Sequence, residues 1–500
     1  MAQKPSDPEL TDRGLFAGGL NTVSDPAAVQ PSQARQLVNA RLTTYGSTTR
    51  RGGTRKCLTA VVGTSASANV GIYWPKFSTV CVVAGSTQYL YSASAPSSFT
   101  STWSMTMDAG RAFKALSLAI FQDATTEVLY GESQAGGLYK WDGTTSTNVT
   151  AGTPVSCKGI CVYNDRLWGW NTTASTNSVF YSALDNGDTL GVAASGGGEI
   201  VVENFDGAPI VACAPVGASL MIFHQAGISR LTGFGTSDLS VSPQPATKNI
   251  RICGQYAAAV YHNAVWIATP QGLYQVTEGS ATPIGTPEVP DPTIAAIAAS
   301  SYQSTVQVYA NQATFEIWVL IPGTGVYVYN LLTEAWSGPW NGAIFAATAP
   351  SILFPIKETT NNIQQRTVLP PDTSGVMWEV DTQDWFTDST NADGTSGTAY
   401  TMTIQPHRMF TEERSYSKAW RWVNVTATLT ASATAPTCVV QSMLGGASTS
   451  TFNTPIAAQC IYYQPGGGTG PYQDVIINDA ASAQSEYLMV EVIGYPLGQR

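Results

Sequence analysis

Three histidines, His224, His262 and His407, have the widest chemical range of any side chains in this sequence. An imidazole can serve a nucleophilic triad or ligate a metal, but it needs Ser, Asp or further ligands beside it. The three histidines lie far apart, and the sequence contains no metalloprotease, phosphate-binding or dinucleotide-binding motif. We therefore expect a chain that is not an enzyme and that uses no metal and no cofactor.

Paired carboxylates are the next candidates for chemistry, because glycoside hydrolysis uses two acids. Glu412 with Glu413, and Asp381 with Asp384, are such pairs, but neighbouring acids in polar turns are usually solvated. Residues 182–189 resemble the Asp-box turn of sialidases, with one extra residue before Asp185. That turn would be structural and it does not repeat, so a glycosidase is the weaker interpretation.

The spacing of tryptophans and cysteines indicates side chains that belong in a core. Trp168 and Trp170 stand two residues apart, as do Trp420 and Trp422, so each pair shares one face of a strand. If exposed, these faces would stack on sugars, but such faces are more often buried. The one close couple among the eight cysteines, Cys157 and Cys161, matches neither a redox nor a zinc spacing, and we expect buried free thiols.

The composition favours an all-β protein with a neutral, polar surface. Charged residues make up 12% of the 500 residues, and Val, Thr, Tyr, Trp and Phe occur in short runs broken by Gly and Asn. A net charge of −10 argues against a general nucleic-acid binder. The polar opening residues, and the lack of an 18-residue apolar run, predict a protein without a signal peptide or a membrane segment, made in a cytoplasm.

From about residue 70 the sequence repeats one unit, a strand, a Gly-containing turn and an aromatic-rich strand. The repeats recur roughly every 40 to 60 residues, which suits the four-stranded blade of a β-propeller. We predict six or seven blades within residues 57–399, with tandem β-sandwiches as the competing architecture. The six clear units and a weaker seventh are residues 79–94, 128–143, 166–183, 220–233, 264–276, 315–331 and 376–381.

Two flanking regions lie outside the repeat. Residues 400–500 again predict strands separated by Gly-rich loops, either a C-terminal β-sandwich or strands that close the ring. Residues 1–56 predict an extended, loop-rich N-terminal arm with a short helix near residues 31–39, opened by Ser32 as N-cap.

The N-terminal arm is basic, whereas the rest of the chain is acidic. It holds eight of the 24 Lys and Arg residues and four of the 34 acids, so it carries about +4 and the remainder about −14. This asymmetry predicts a segment that docks on an acidic partner, although a solvated tail has the same pattern. The candidate docking residues are Arg35, Arg41, Arg50, Arg51, Arg55 and Lys56.

The arm also carries the most specific short motifs. They are Gly-Gly-Leu-Asn at residues 18–21, Asn-Ala-Arg-Leu at residues 39–42 and Arg-Arg-Gly-Gly at residues 50–53. This opening resembles that of phage tail and head-to-tail β-propeller proteins, including the tail nozzle proteins of short-tailed phages, although Gly52 stands where a proline is common. The similarity covers about 40 residues and the blade pattern that follows.

The resemblance implies a structural virion protein of a bacteriophage. A nozzle of this kind is a homo-oligomeric, hexameric ring that sits below adaptor or portal-complex proteins, continues the channel for genomic DNA and anchors tail fibres or spikes. An acidic body fits that expectation, since it would repel phosphates and let DNA slide without sequence-specific binding. The alternatives are a carbohydrate-binding or depolymerising tail protein for host attachment, and a minor head or capsid-associated protein.

Overall fold

Antiparallel sheets of four consecutive strands repeat along the chain in the computed structural model. The structure describes the following residues: 10–57, 69–84, 89–95, 105–107, 113–150, 154–244, 249–286, 290–342, 344–345, 352–357, 365–369, 377–382, 388–389, 397–410, 418–429, 434–444, 446–452, 458–466, 468–481 and 484–496. They form a β-propeller with a further C-terminal β region, which confirms the predicted fold class.

The chain opens with six short strands that join other parts of the molecule. They are β1 Leu10–Gly14, β2 Gly19–Leu20, β3 Gln33–Val38, β4 Ala40–Leu42, β5 Thr48–Arg50 and β6 Gly53–Lys56.

Blades 1 to 6 are each made of four consecutive strands. Blade 1 contains β7 Val70–Trp74, β8 Thr79–Ala84, β9 Tyr89–Ser94 and β10 Thr106–Met107. Blade 2 contains β11 Ser117–Asp123, β12 Thr126–Ser133, β13 Gly137–Trp141 and β14 Ser146–Asn148. Blade 3 contains β15 Gly159–Tyr163, β16 Arg166–Trp170, β17 Ser178–Tyr181 and β18 Gly198–Val201.

The next three blades follow the same order. Blade 4 contains β19 Ile210–Val216, β20 Ser219–His224, β21 Ile228–Thr232 and β22 Ser240–Pro243. Blade 5 contains β23 Ala258–Tyr261, β24 Ala264–Thr269, β25 Gly272–Val276 and β26 Ala281–Pro283. Blade 6 contains β27 Gln307–Asn311, β28 Glu316–Ile321, β29 Gly325–Asn330 and β30 Ala335–Trp340.

A seventh sheet lies between blades 6 and 1 and completes the ring. It contains β31 Phe354–Lys357, β32 Gln365–Leu369 and β33 Trp378–Thr382, and its next strand is β6 from the start of the chain. Two short strands, β34 Asp388–Ser389 and β35 Gly397–Thr398, extend it. The first strands of blades 1 to 6 are neighbours in turn around the ring, and β31 contacts β7.

The C-terminal region contains two packed sheets. Its strands are β36 Met402–Pro406, β37 Met409–Phe410, β38 Lys418–Leu429, β39 Thr437–Ser442, β40 Ala447–Thr451, β41 Cys460–Pro465, β42 Thr469–Gly470, β43 Tyr472–Asp479 and β44 Ser485–Pro496. One sheet runs in the order β4-β5-β44-β38-β41, and the other continues from β30 of blade 6 through β3, β36, β43 and β39 to β40. Apolar residues of both sheets and of blades 4 to 6 form one core.

In the described part of the chain, helical structure is confined to short segments. The α-helices of the described residues are α1 Asn204–Gly207 and α2 Thr293–Ala299, and Phe205 and Asp206 within α1 have positive φ. Single 3-10 turns occur at Pro75–Phe77, Gly187–Thr189, Ala193–Ser195 and Gln303–Thr305.

The six predicted hairpins are the second and third strands of blades 1 to 6. Strands β20, β24 and β28 are buried at every residue, because both faces of a blade pack on neighbouring blades. Burying one such aliphatic or aromatic side chain contributes about 1.5–3 kcal/mol. The turn glycines also act as predicted: Gly272 has φ +109, and a Cβ there would lie 2.5 Å from Asp291.

The predicted helix near residues 31–39 is wrong, because this segment contains β3. A register shift between Ala34 and Gln36 forms a β-bulge against β36. The bulge places Ala34 and Leu37, three residues apart, on the same buried face, which imitates the spacing of a helix.

Candidate functional site

The N-terminal clasp, which we define as residues 10–57, connects the parts of the molecule. Its strand β3 lies between β30 of blade 6 and β36 of the C-terminal region. Strand β5 pairs with β44, and β6 pairs with β33 of the seventh sheet. The segment before the predicted boundary at residue 56 thus belongs to sheets made mostly of later residues.

Arg41 is the centre of the clasp. Its guanidinium donates two hydrogen bonds to Glu316 of blade 6, at 2.7 and 2.6 Å, and its Nη1 lies 2.7 Å from Asp381 of the seventh sheet. Burial opposes its charge, but Asp381 and Glu316 outweigh that effect and raise the pKa of Arg41. Burial also raises the pKa of Asp381, and the nearby negative charge of Glu316 raises it further. The attraction of Arg41 opposes both effects.

Arg50 and Arg51 occupy a second buried pocket beneath Tyr400. Arg50 lies 3.2 Å from Asp479 and is fully buried, and Arg51 forms a bidentate pair with Asp388 at 3.0 and 2.8 Å. The Tyr400 ring lies 4.6 Å from the Arg50 guanidinium carbon and 3.8 Å from that of Arg51. Burial raises the pKa of Tyr400 to about 12, so the ring stays neutral between the two cations.

Two further acids, Glu379 and Asp474, bind arginines of the clasp. Arg55 binds Glu379 of the neighbouring strand at 2.6 Å, and Arg366 approaches the other oxygen of Glu379 at 3.1 Å. Arg35 lies 3.0 Å from Asp474, which also pairs with Arg408.

The charges predicted to dock a partner are thus used inside the chain. Arg35, Arg41, Arg50, Arg51 and Arg55 each face a carboxylate of this chain, and Lys56 is half-buried at the end of β6. Docking of a partner by these residues stays a prediction. Within the chain the five arginines are structural, since a buried cation must be paired locally.

Sequence reasoning missed Glu316 and Glu379, two acids that bind arginines of the clasp. Glu316 and Glu379 stand inside apolar runs, Phe-Glu-Ile-Trp-Val and Met-Trp-Glu-Val. A carboxylate at such a position cannot remain unpaired after burial, so it requires a cation from elsewhere in the chain. That signal was available, although the identity of each partner was not.

The histidines are not brought together. His224 is buried between the Ala208 carbonyl and the Ser229 hydroxyl, each 3.0 Å from a ring nitrogen, and burial lowers its pKa. His407 faces Asp12 at 3.2 Å, and His262 lies in a turn with positive φ beside Tyr261. Within the described ranges, no cluster of three His, Cys, Asp or Glu residues is arranged to hold a metal.

The cysteines are free thiols, five of them buried and three half-buried. Burial raises the pKa of Cys161, Cys253 and Cys438 to about 12, so these thiols stay protonated.

The proposed acid pairs do not form a site in the described residues. Asp381 pairs with Arg41 of the clasp, while Glu412, Glu413 and Asp384 lie outside the described residues. In the Asp-box-like turn, Asp188 accepts a hydrogen bond from Tyr130 at 2.7 Å and pairs with Lys140 at 2.5 Å. This turn therefore ties blade 3 to blade 2.

The tryptophan pairs behave differently from each other. Trp168 and Trp170 are buried between blades 3 and 4, as expected. Trp420 is buried but Trp422 is 44% exposed, which contradicts the predicted shared face. A register shift between these two residues forms a bulge in β38 that turns Trp422 to the outer side.

Glu132 is a buried acid without a cation. It is fully buried in β12, its Oε1 accepts a hydrogen bond from the Cys157 amide at 3.2 Å, and its Oε2 has no partner among the described residues. Burial raises its pKa well above the ordinary glutamate value, so this side chain is held as the neutral acid.

The segment that leads into blade 5 contacts two other blades. The Tyr256 hydroxyl donates to the Leu116 carbonyl at the start of blade 2 at 2.9 Å, and the Tyr256 carbonyl accepts from Val308 of blade 6. This segment therefore links blades 2, 5 and 6. A cavity of about 340 Å³ lies beside it, lined by neutral residues of β23, β27 and β31.

Comparisons with known proteins add the following. No family model matches the chain, and no curated protein matches it. Among solved structures, PorZ, a surface component of the type-IX secretion system of Porphyromonas gingivalis, is 13% identical with a TM-score of 0.44, over 88% of this chain and 60% of that one. The extracellular domain of the hybrid two-component system BT4673 from B. thetaiotaomicron is 11% identical with a TM-score of 0.44, over 70% and 42%. This chain thus spans about half of the length of these two proteins.

No helix of the described residues is long and apolar enough to cross a bilayer.

Proposed function

We propose that this chain is a structural, non-catalytic component of a bacteriophage virion, and specifically a subunit of the tail nozzle. The observation that carries the proposal is the position of the residues on which the resemblance depends. Asn39, Arg41, Arg50 and Arg51 lie in the N-terminal clasp and are buried or nearly so, and each contacts residues distant in the sequence. A match at such residues supports a shared architecture rather than a chance similarity of composition.

The acidic charge of the chain supports a role in a ring through which DNA passes. A channel for DNA would lie between subunits of that ring, bounded by surfaces of an acidic protein with a net charge of −10, which repel phosphates.

The decisive experiment locates the chain in the particle. We would label the protein with gold-conjugated antibody on intact virions and average the images. Label at the tail below the adaptor supports the nozzle. Label on the capsid supports the minor head protein, and label on fibres together with cleavage of host polysaccharide supports the depolymerising alternative.

A further inference from the structure

A polar cavity of about 410 Å³ lies at the junction of blades 5 and 6. Its first wall is the segment that leads into blade 5, with Arg251 and Cys253, and its second is Pro270 in the turn between β24 and β25. The third wall is the segment between α2 and β27. This volume is within the range of small-molecule sites, about 300–1,000 Å³.

Close backbone contacts hold the walls of this cavity in place. The Cys253 amide donates to the Ala268 carbonyl at 3.0 Å, which fixes the first wall beside β24. Gly254 packs so tightly on the third wall that a Cβ there would lie 2.0 Å from the Ser304 carbonyl oxygen. A larger residue at position 254 would push the two walls apart, so the shape of the cavity depends on this glycine.

Arg251 supplies the charge of the cavity. It is exposed, and it forms no hydrogen bond, ion pair or ring contact with any described residue. Every other arginine in the described part of the chain has such a contact, for example Arg230 with a backbone carbonyl and Arg421 with a tyrosine ring. Burial raises the pKa of the Cys253 thiol to about 12, so this neighbour of Arg251 is neutral.

The third wall adds neutral hydrogen-bonding groups. Ser301, Gln303 and Ser304 are exposed there, and their side chains form no hydrogen bond with the described residues. No acid is among the described residues that line the cavity. A guanidinium binds phosphate or carboxylate through two parallel hydrogen bonds, and hydroxyl and amide groups bind hydroxyls. The lining therefore matches an oxyanion carried on a body of hydroxyl groups.

We propose that this cavity binds a small sugar that carries a phosphate or carboxylate group, and that Arg251 binds that group. The net charge of −10 repels anions at long range, but charges farther away than about 8 Å are largely screened at physiological salt. Inside the cavity the ligand therefore meets the unpaired guanidinium. This inference goes beyond the proposed function and does not depend on it.

Isothermal titration calorimetry of the purified full-length chain would measure binding of glucose-6-phosphate, glucuronate and neutral glucose. We expect an anionic sugar to bind at least about tenfold more tightly than glucose, and inorganic phosphate to displace it. Binding of glucose-6-phosphate alone identifies the oxyanion as a phosphate, and binding of glucuronate alone identifies it as a carboxylate. If neither anionic sugar binds, or if glucose binds equally well, the proposal is wrong.

Arg251→Gln tests the residue that binds the oxyanion. Loss of the guanidinium should weaken binding by about ten- to a hundredfold, because hydrogen bonds to charged groups are strong. Arg13→Gln is the matched control, since it removes the same charge from a side chain that is 65% exposed beside Glu491, and it should leave the affinity unchanged. An unchanged affinity in Arg251→Gln, or an equal loss in both variants, would overturn the proposal.

The unfolding midpoint of Arg251→Gln separates a binding defect from misfolding. Because Arg251 has no contact with the described residues to lose, the variant should unfold at the wild-type temperature. These measurements say nothing about the place of the chain in a particle, so the nozzle proposal stands or falls separately.

Discussion

At the scale of single residues, the arginines of the opening segment act through burial rather than exposure. Arg41, Arg50 and Arg51 bind four distant acids and three distant carbonyl groups in largely buried places. Removing one member of a buried pair leaves the other charge unpaired, which typically costs about 3–5 kcal/mol, whereas an exposed pair contributes at most about 1 kcal/mol.

The first prediction concerns Arg50. Arg50→Ala should lower the thermal unfolding midpoint strongly, because Asp479 would remain buried without its cation. Arg13→Ala is the control, since the Arg13 side chain is 65% exposed beside Glu491 and its loss should change the midpoint little. Equal midpoints for the two variants would show that the buried pair does not stabilise the fold.

The second prediction concerns Glu132 and pH. Burial raises the pKa of Glu132 in the folded chain. As the pH rises above the ordinary glutamate pKa of about 4.3, the unfolded chain therefore loses this proton while the folded chain keeps it. The folding free energy should then weaken by about 1.4 kcal/mol per pH unit as pH rises towards the folded-state pKa. Glu132→Gln should remove this loss and be more stable than wild type at pH 8, with little difference at pH 4.

The control for Glu132 is Glu199→Gln, an exposed acid of β18. Denaturation at pH 4, 6 and 8 would compare the three proteins. If the free energies of unfolding of the wild-type chain and Glu132→Gln differ by the same amount at all three pH values, Glu132 ionises normally.

At the scale of elements, the middle strands of the blades were predictable and the bulges were not. Hairpins such as residues 220–233 and 264–276 are recognisable in the sequence as apolar runs around a Gly turn, because both of their faces are buried. The bulges in β3 and β38 shift the side-chain alternation by one residue. They depend on a partner strand distant in the sequence, so the local pattern predicted a helix where β3 lies and a shared face for Trp420 and Trp422.

The third prediction tests β6 as a central strand. It pairs with β33 on one side and β34 on the other, so Thr54→Pro removes a ladder hydrogen bond whichever neighbour accepts it. The variant should open the seventh sheet, seen as faster limited proteolysis and a lower unfolding midpoint.

Thr54→Val is the matched control for β6. It keeps the shape and the strand preference and loses only the hydroxyl bond to Asp388. If the proline variant resists protease as well as the valine variant does, β6 does not hold the ring closed.

At the scale of the whole molecule, the class of fold followed from the sequence, but the connections between its parts did not. The aromatic hairpins predicted a propeller. The clasp looked like a free arm because its strands are short and polar, and its partners, such as Glu379 and Asp479, lie hundreds of residues away. Long-range ion pairs leave no periodic trace in a sequence, so the contacts that the candidate docking residues make within the chain could not be predicted.

The fourth prediction concerns the clasp as a unit. From the sequence alone, deletion of residues 1–56 would be expected to leave a folded body. From the structure, it should yield an insoluble or partly unfolded chain, because the seventh sheet loses β6 and the C-terminal sheets lose β3, β4 and β5. Soluble yield and circular dichroism of residues 57–500 would measure this, and a soluble fragment with native β content would contradict it.

The closure of the ring by β6 also fixes when the ring can form during translation. Strand β6 leaves the ribosome early, yet Glu379, which pairs with Arg55, lies 324 residues later. At 5–20 residues per second, the first strand waits roughly 16–65 s for its neighbour. Until then the nascent chain carries an unmatched basic strand and a growing row of blades, so the ring can close only late in translation, after residues 378–382 have been made.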